Sequence, residues 1–245
     1  MSQKELQTNL EKLLKEYDFT SNGKFKLIII SGLLGDFDSF EYAQNISRLI
    51  KSQKYDEKLE ILFIAIGNKI VKEKFCNFTE LPEKNLKVVQ NNNIHNQLGS
   101  HKGSDGGLGT WINMLIMLSG VNSSKTIKEV LRGYTGDKNA KEIFQESYQI
   151  KLFNIFNFSG NLFKRTFGNG YLRPFELATY RLINMIEIIG NWNDYISDLR
   201  LMPQRGATFL LDADNKLIYE YFAKDILSYS KNMRDPLKFL LDKLS

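Results

Sequence analysis

Apolar residues rich in isoleucine dominate Phe25–Ser31 and again Leu59–Gly67, and each run leads into helical spacing, at Phe40–Lys51 and then at Ile70–Phe78. Strand, helix, strand, helix with no tight hairpin between them calls for right-handed crossovers and parallel pairing. Runs this continuous mark strands covered on both faces. Leu86–Val89 reads as a third strand after Pro82, and Ile94–Leu98 as a helical turn. Near the end, Ala207–Asp212 and Lys216–Phe222 flank Ala213-Asp-Asn215, which predicts an antiparallel hairpin. Amphipathic helices are predicted at Ser2–Tyr17 and Pro236–Leu244. The order describes an α/β chain with a central mixed sheet covered by helices.

Between about Gly99 and Pro203 the pattern changes. A glycine-rich loop, Gly103–Gly109, precedes the apolar segment Thr110–Leu118, and Ser124–Arg132 reads as a short helix. The strongest helical pattern starts at Arg173-Pro174 and reaches Asn191. Phe175, Ala178, Leu182, Ile183, Met185, Ile186 and Ile189 recur on one side, with Arg173, Glu176, Arg181, Asn184 and Glu187 largely on the other. Pro174 suits its first turn, and such a helix must pack on something large. Leu152–Phe167 is aromatic without a clean period, as in an irregular loop packing its own rings or in a partner surface. The organisation expected is one domain over 1–245. It has an N-terminal helix at about 2–17, a core at about 25–99 and 204–245, and a mostly helical insertion at about 100–203.

Composition narrows the function classes. The formal charge of +5 comes from lysines and acids that alternate along the helices, as on a solvated surface, so no nucleic-acid partner is expected. A single cysteine cannot form an intrachain disulfide. The longest apolar run, Trp111–Leu118, is far short of the ~20 residues that span a bilayer, and Ser2–Tyr17 lacks the apolar core of a signal peptide. No membrane partner and a cytoplasmic location are therefore expected. His95 and His101, with no second cysteine near them, are too few for a metal site. Gly103–Gly109 has neither the spacing of a phosphate loop nor a strand before it, so no cofactor is expected.

Several segments resemble one family. Ile66-Gly67, Lys74-Phe75 with Thr79-Glu-Leu-Pro82, Leu98-Gly99, and the stretch Arg205-Gly-Ala-Thr-Phe-Leu-Leu-Asp-Ala-Asp-Asn-Lys-Leu-Ile-Tyr219 are similar in content and order to the peroxiredoxin-like AhpC/TSA antioxidant proteins. Val130–Asp137 and Arg173–Thr179 are similar to a plant and cyanobacterial subgroup of them. The resemblance implies a thioredoxin-like three-layer fold with a central mixed β-sheet and a helical insertion. It also implies thiol-dependent reduction of peroxides, with an external thiol of the thioredoxin or glutathione type as reductant. The family's Thr-x-x-Cys at the first strand-to-helix junction stands here as Asp36-Phe-Asp-Ser39.

A peroxidase needs a thiolate, lowered in pKa by a helix N-terminus or a nearby cation. The candidate catalytic residues are therefore Cys76, the sole thiol; Arg205, which matches the arginine that steadies the thiolate in the family; and Ser39, which occupies the cysteine's place. Cys76, between Phe75 and Phe78, reads either as a buried inert thiol or as a redox cysteine lowered by Lys72 or Lys74. Asp36, Asp38 and Arg205 are the candidate substrate- or partner-binding set. Asp36, Asp38 and Glu41 gather where they can cap the helix, Asp38 and Glu41 at capping-box spacing, and Arg205 can pair with Asp36 or Asp38. Two functions stay open: a one-cysteine thiol peroxidase, or a module that keeps the fold and binds a partner or a small anion through the insertion or the Ser39/Arg205 cleft.

Overall fold

The computed structural model describes residues 1–20, 23–55, 57–103, 123–152, 156–167 and 173–244. Five strands form one sheet in the order β3-β2-β1-β6-β7, where β1 is Phe25–Leu33, β2 Leu59–Ile66, β3 Leu86–Val89, β6 Ala207–Leu211 and β7 Leu217–Phe222. The first three run parallel, with Ile28 beside Leu62 and Ile64 beside Lys87. β6 runs antiparallel to β1, with Ile28 beside Phe209, and β7 antiparallel to β6. This is the three-layer, thioredoxin-like arrangement that the pattern of the chain predicts.

Alternation along the strands divides the core. Leu27, Ile29, Phe63 and Leu210 face α2 (Phe37–Lys51), α3 (Lys69–Thr79) and the final helix, α9 (Lys238–Leu244). Ile28, Ile30, Leu62, Ile64 and Phe209 face α1 (Gln3–Glu16) and α4 (Asn93–Gln97). On α1 the buried residues Leu6, Leu10, Leu13 and Leu14 follow helical spacing. Each such leucine contributes about 1.5–3 kcal/mol by leaving water.

The stretch between the two halves of the sheet contains α5 (Ser124–Thr135), a hairpin of β4 (Gln149–Leu152) and β5 (Phe156–Ser159), α6 (Asn161–Phe167), α7 (Glu176–Gly190) and α8 (Trp192–Tyr195). The expected irregular loop at Leu152–Phe167 is thus a correction: β4 and β5 lie on either side of residues 153–155, which are outside the described set, and α6 follows β5. Aromatic packing drives this local order, with Phe163 stacked on Phe144 at 5.9 Å and edge-on to Phe158 at 6.0 Å. Most of the glycine-rich loop and the apolar run at Thr110–Leu118 also lie outside the described residues.

α7 corrects a second expectation. It starts at Glu176, so Pro174 lies before the helix, and its buried residues are Glu176, Leu177, Tyr180, Asn184 and Ile188. Part of the side read as polar faces α2, and Phe175 and Ile189 are exposed. The reason is polar pairing across the helix interface. Gln44 and Asn184 exchange amide bonds at 2.9 and 3.0 Å, and Arg181 grips Glu41.

Candidate functional site

β1 ends in a turn that delivers Asp36 to the start of α2. Asp36 is the N-cap, its Oδ1 accepting from the Asp38 N–H at 3.3 Å. The expected Asp38/Glu41 capping box is therefore a correction, because both carboxylates turn away from the helix end. Asp38 Oδ1 accepts from the Leu227 N–H at 2.8 Å, tying α2 to the loop after β7. Glu41 accepts from Arg181 at 2.8 and 3.2 Å and from the Tyr229 hydroxyl at 3.1 Å.

Opposite this turn, the segment before β6 brings Arg205 in close. Its Nη2 lies 3.1 Å from Asp36 Oδ2, and its Nη1 3.5 Å from Asp38 Oδ2. The same guanidinium donates to the carbonyls of Pro203 at 2.9 Å and Met202 at 2.7 Å. The approach depends on two glycines. A Cβ on Gly206 would meet the Ile30 carbonyl oxygen at 2.4 Å, and one on Gly32 the Gln204 carbonyl oxygen at 2.7 Å. Only a residue without a side chain lets these backbones touch.

One cation thus serves two buried carboxylates. Burial raises Asp36 above the usual carboxylate range against the opposing pull of Arg205. Burial and the neighbouring Asp36 push Asp38 up to about 8, again opposed by Arg205. The pair retains a proton where exposed aspartates have none, because two like charges this close cannot both ionise cheaply. The space enclosed by Ser31, Gly32, Asp36, Asp38 and Thr208 is about 10 Å³, on the order of one water.

Ser39 is fully buried beside this cluster. Its hydroxyl donates to the Leu33 carbonyl at 2.7 Å and lies 2.6 Å from the Ser31 hydroxyl, so it staples α2 to β1. No general base touches it. His95 on α4 donates Nε2–H to the Ser31 carbonyl at 2.7 Å. Burial lowers its pKa to about 4 against that bond, which keeps the ring neutral. A nucleophilic serine needs a base on its own hydroxyl, and here His95 binds a backbone oxygen instead.

Cys76 sits elsewhere, on α3 within the core that also contains Phe40, Phe75 and Tyr195. It is buried, and burial pushes the thiol up to about 11, with Lys72 pulling the other way. Lys74 is occupied with Asn191 at 2.8 Å and Asp194 at 2.6 Å. Arg205 and Cys76 are not among each other's contacts. The structure therefore brings together Asp36, Asp38, Ser39 and Arg205 and leaves Cys76 apart.

A second polar cluster was missed in the sequence. Arg181 bonds Glu41, the Glu129 carbonyl and the Glu129 carboxylate, and Arg132 also holds Glu129 at 2.7 Å. Burial alone would raise the Glu41 carboxyl, but Arg181, Arg132 and the Tyr229 hydroxyl outweigh it and hold it below the usual range. The available signal was matched spacing: Glu41 and Gln44 on α2, Arg181 and Asn184 on α7, each pair three apart. Among the described residues, no three His, Cys, Asp or Glu side chains group as metal ligands, and no helix is long and apolar enough to cross a membrane.

A family model described as AhpC/TSA antioxidant enzyme matches residues 45–225. The match begins beyond the β1–α2 junction. Neither a curated protein nor a solved structure matches the chain.

Proposed function

The chain belongs to the AhpC/TSA antioxidant enzyme family, whose general character is peroxiredoxin-like and thiol-dependent, and from that premise we propose that this member keeps the scaffold as a binding module without peroxidase chemistry. The observation that supports this most is the closed junction. Where a thiolate would meet peroxide, Asp36 and Asp38 surround Arg205 in a space of about 10 Å³. A peroxidatic centre needs positive potential and room for an O–O bond. This one has an excess of carboxylate and room for a water. In this reading Arg205 is a lock on the β1–α2 turn, Asp36 and Asp38 are its counter-ions, and Ser39 is a staple.

Cys76 points the same way. A thiol at about 11 is almost entirely protonated at neutral pH, and the protonated form does not attack peroxide. We place the chain in the plant and cyanobacterial subgroup on the resemblance of Val130–Asp137 and Arg173–Thr179, and in the cytoplasm on its single thiol.

Hydrogen peroxide consumption tests the proposal, with dithiothreitol or thioredoxin as the external thiol and wild type compared with Cys76→Ser. Neither protein is expected to exceed the reductant-only background. Turnover in wild type that disappears in Cys76→Ser would overturn the reading in favour of a one-cysteine thiol peroxidase.

A disulfide chromogen provides an independent check. The native protein at about pH 8 is expected to release no thiolate chromophore on the timescale of minutes, and to react fully once unfolded. Fast native labelling would show that Cys76 opens to solvent.

A further inference from the structure

The apolar side of α7 does not disappear into the core. Ala178, Leu182 and Met185 line a cavity of about 410 Å³ whose other walls are Val130 and Gly133 of α5, Phe37 of α2, and the loop at Ile226-Leu227. Its size is that of small-molecule sites. Tyr134 and Phe175 frame the mouth edge-to-face at 6.2 Å, both more than half exposed.

Backbone strain gathers on the same walls. Among the described residues, six non-glycine residues have positive φ. Asp18, Gln53 and Glu80 follow helix ends, and Asn215 sits in the β6–β7 turn, where left-handed residues are ordinary. The remaining two, Phe175 at 63° and Leu227 at 56°, carry bulky apolar side chains and both line this cavity. Such residues persist where the surroundings force them, and they concentrate at ligand clamps. Leu227 is forced by its N–H bond to Asp38, and the neighbouring Ile226 carbonyl by the Thr126 hydroxyl at 2.7 Å.

Of the polar residues on the wall, which include Thr179, the charged and amide groups of Glu41, Arg181 and Asn184 set the chemistry. Glu41 and Arg181 neutralise each other, so the cavity has no uncompensated charge to offer an ion. Arg181 uses Nε, both Nη2 hydrogens and one Nη1 hydrogen, and Asn184 one amide hydrogen. One guanidinium N–H and one amide N–H are left to donate.

We propose that the cavity between α2, α5 and α7 binds a small, neutral, mostly apolar molecule with an acceptor oxygen at one end. The inference rests on reading the chain as a binding module and assigns that module its site. The apolar body lies between Val130, Leu182 and Met185, the oxygen reaches Arg181 and Asn184, and Tyr134 and Phe175 close over the outer edge.

Prodan, a neutral naphthalene ketone whose fluorescence shifts in apolar surroundings, is the probe. Titrating it into the full-length protein is expected to give a saturable blue shift, and in methyl NMR to move the Met185 signal while leaving Met233 in place. Val130→Trp, which fills the cavity from a partly exposed wall, is expected to weaken binding about tenfold or more. Phe175→Gly is expected to raise the urea midpoint, because it releases the left-handed strain, and yet to weaken binding. A purely structural Phe175 would raise the midpoint without touching affinity. Tyr148→Ala, which removes a half-exposed ring that stacks on Phe144 and does not line the cavity, is expected to leave prodan binding unchanged.

Absence of a saturable shift, a Met185 signal that stays still, or tighter binding of the anionic naphthalene sulfonate ANS would overturn the proposal. Peroxide turnover is scored separately. If Cys76 proves catalytic, the module reading fails whatever prodan does; if prodan fails in a protein without turnover, only the cavity assignment falls.

Discussion

Arg205→Ala is expected to lower the unfolding free energy by about 3–5 kcal/mol at about pH 9 and by clearly less at about pH 5. The residue is the cation placed against two largely buried carboxylates, 3.1 Å from Asp36 and 3.5 Å from Asp38, whose side chains are 10% and 8% exposed. At pH 5 both acids can hold protons and tolerate its loss; at pH 9 the variant must bury charge without a partner. The wild type already leans this way. An acid whose folded pKa is raised binds its proton more tightly in the folded chain than in the unfolded one. The stability it contributes is therefore full below the unfolded value near ~4 and is lost as pH climbs through the folded value. For Asp38 that window runs up to about 8. Asp38→Asn keeps an acceptor for Leu227 and removes the titration, so it is expected to flatten the decline between about pH 5 and pH 9. Urea unfolding at three pH values reads both effects. An Arg205→Ala loss that is the same at every pH would refute the charge account.

Arg181→Ala is expected to cost a similar amount, about 3–5 kcal/mol at neutral pH, and its penalty also falls in acid, although here the wild-type carboxyl is lowered instead of raised. Its removal strands Glu41, whose side chain is 6% exposed and whose carboxyl Arg181 helps hold below the usual range. A depressed folded pKa contributes stability that is present above the unfolded value near ~4.3 and lost as pH falls through the folded one. The Arg181→Ala penalty should therefore shrink towards about pH 4, where Glu41 can take a proton. The double variant Arg181→Met with Glu41→Gln is expected to recover most of the loss, since replacing a buried pair together is far milder than breaking it. Equal instability of the single and double variants would show that packing, and not charge, sets the cost.

The sheet was legible because its signals are local. Phe25–Ser31, Leu59–Gly67 and the Asp/Asn turn at 213–215 each determine their own conformation, and their order leaves few topologies. Arg205 was legible as a partner of Asp36 or Asp38 once the fold placed β6 beside β1. The insertion was not, because its order comes from long-range pairing. Arg181 and Asn184 look like solvent-facing residues on α7 until Glu41 and Gln44, some 140 positions earlier, are set against them. The hairpin at 149–159 is held by aromatic contacts that leave no period in the sequence. Capping was misread for a related reason: Asp38 had a better donor, the Leu227 N–H, far along the chain.

The closed junction also has a direction in time. A cysteine placed at position 39 would put a larger sulfur in the fully buried slot between Ser31 and Leu33, next to two acids that oppose a thiolate. Removing either acid first would unbalance Arg205, and moving Arg205 first would strand both acids. Each single step towards a thiolate site is harmful before the next becomes useful, so the turn behaves as a ratchet, and new activity is expected to arise around the insertion sooner than at the junction.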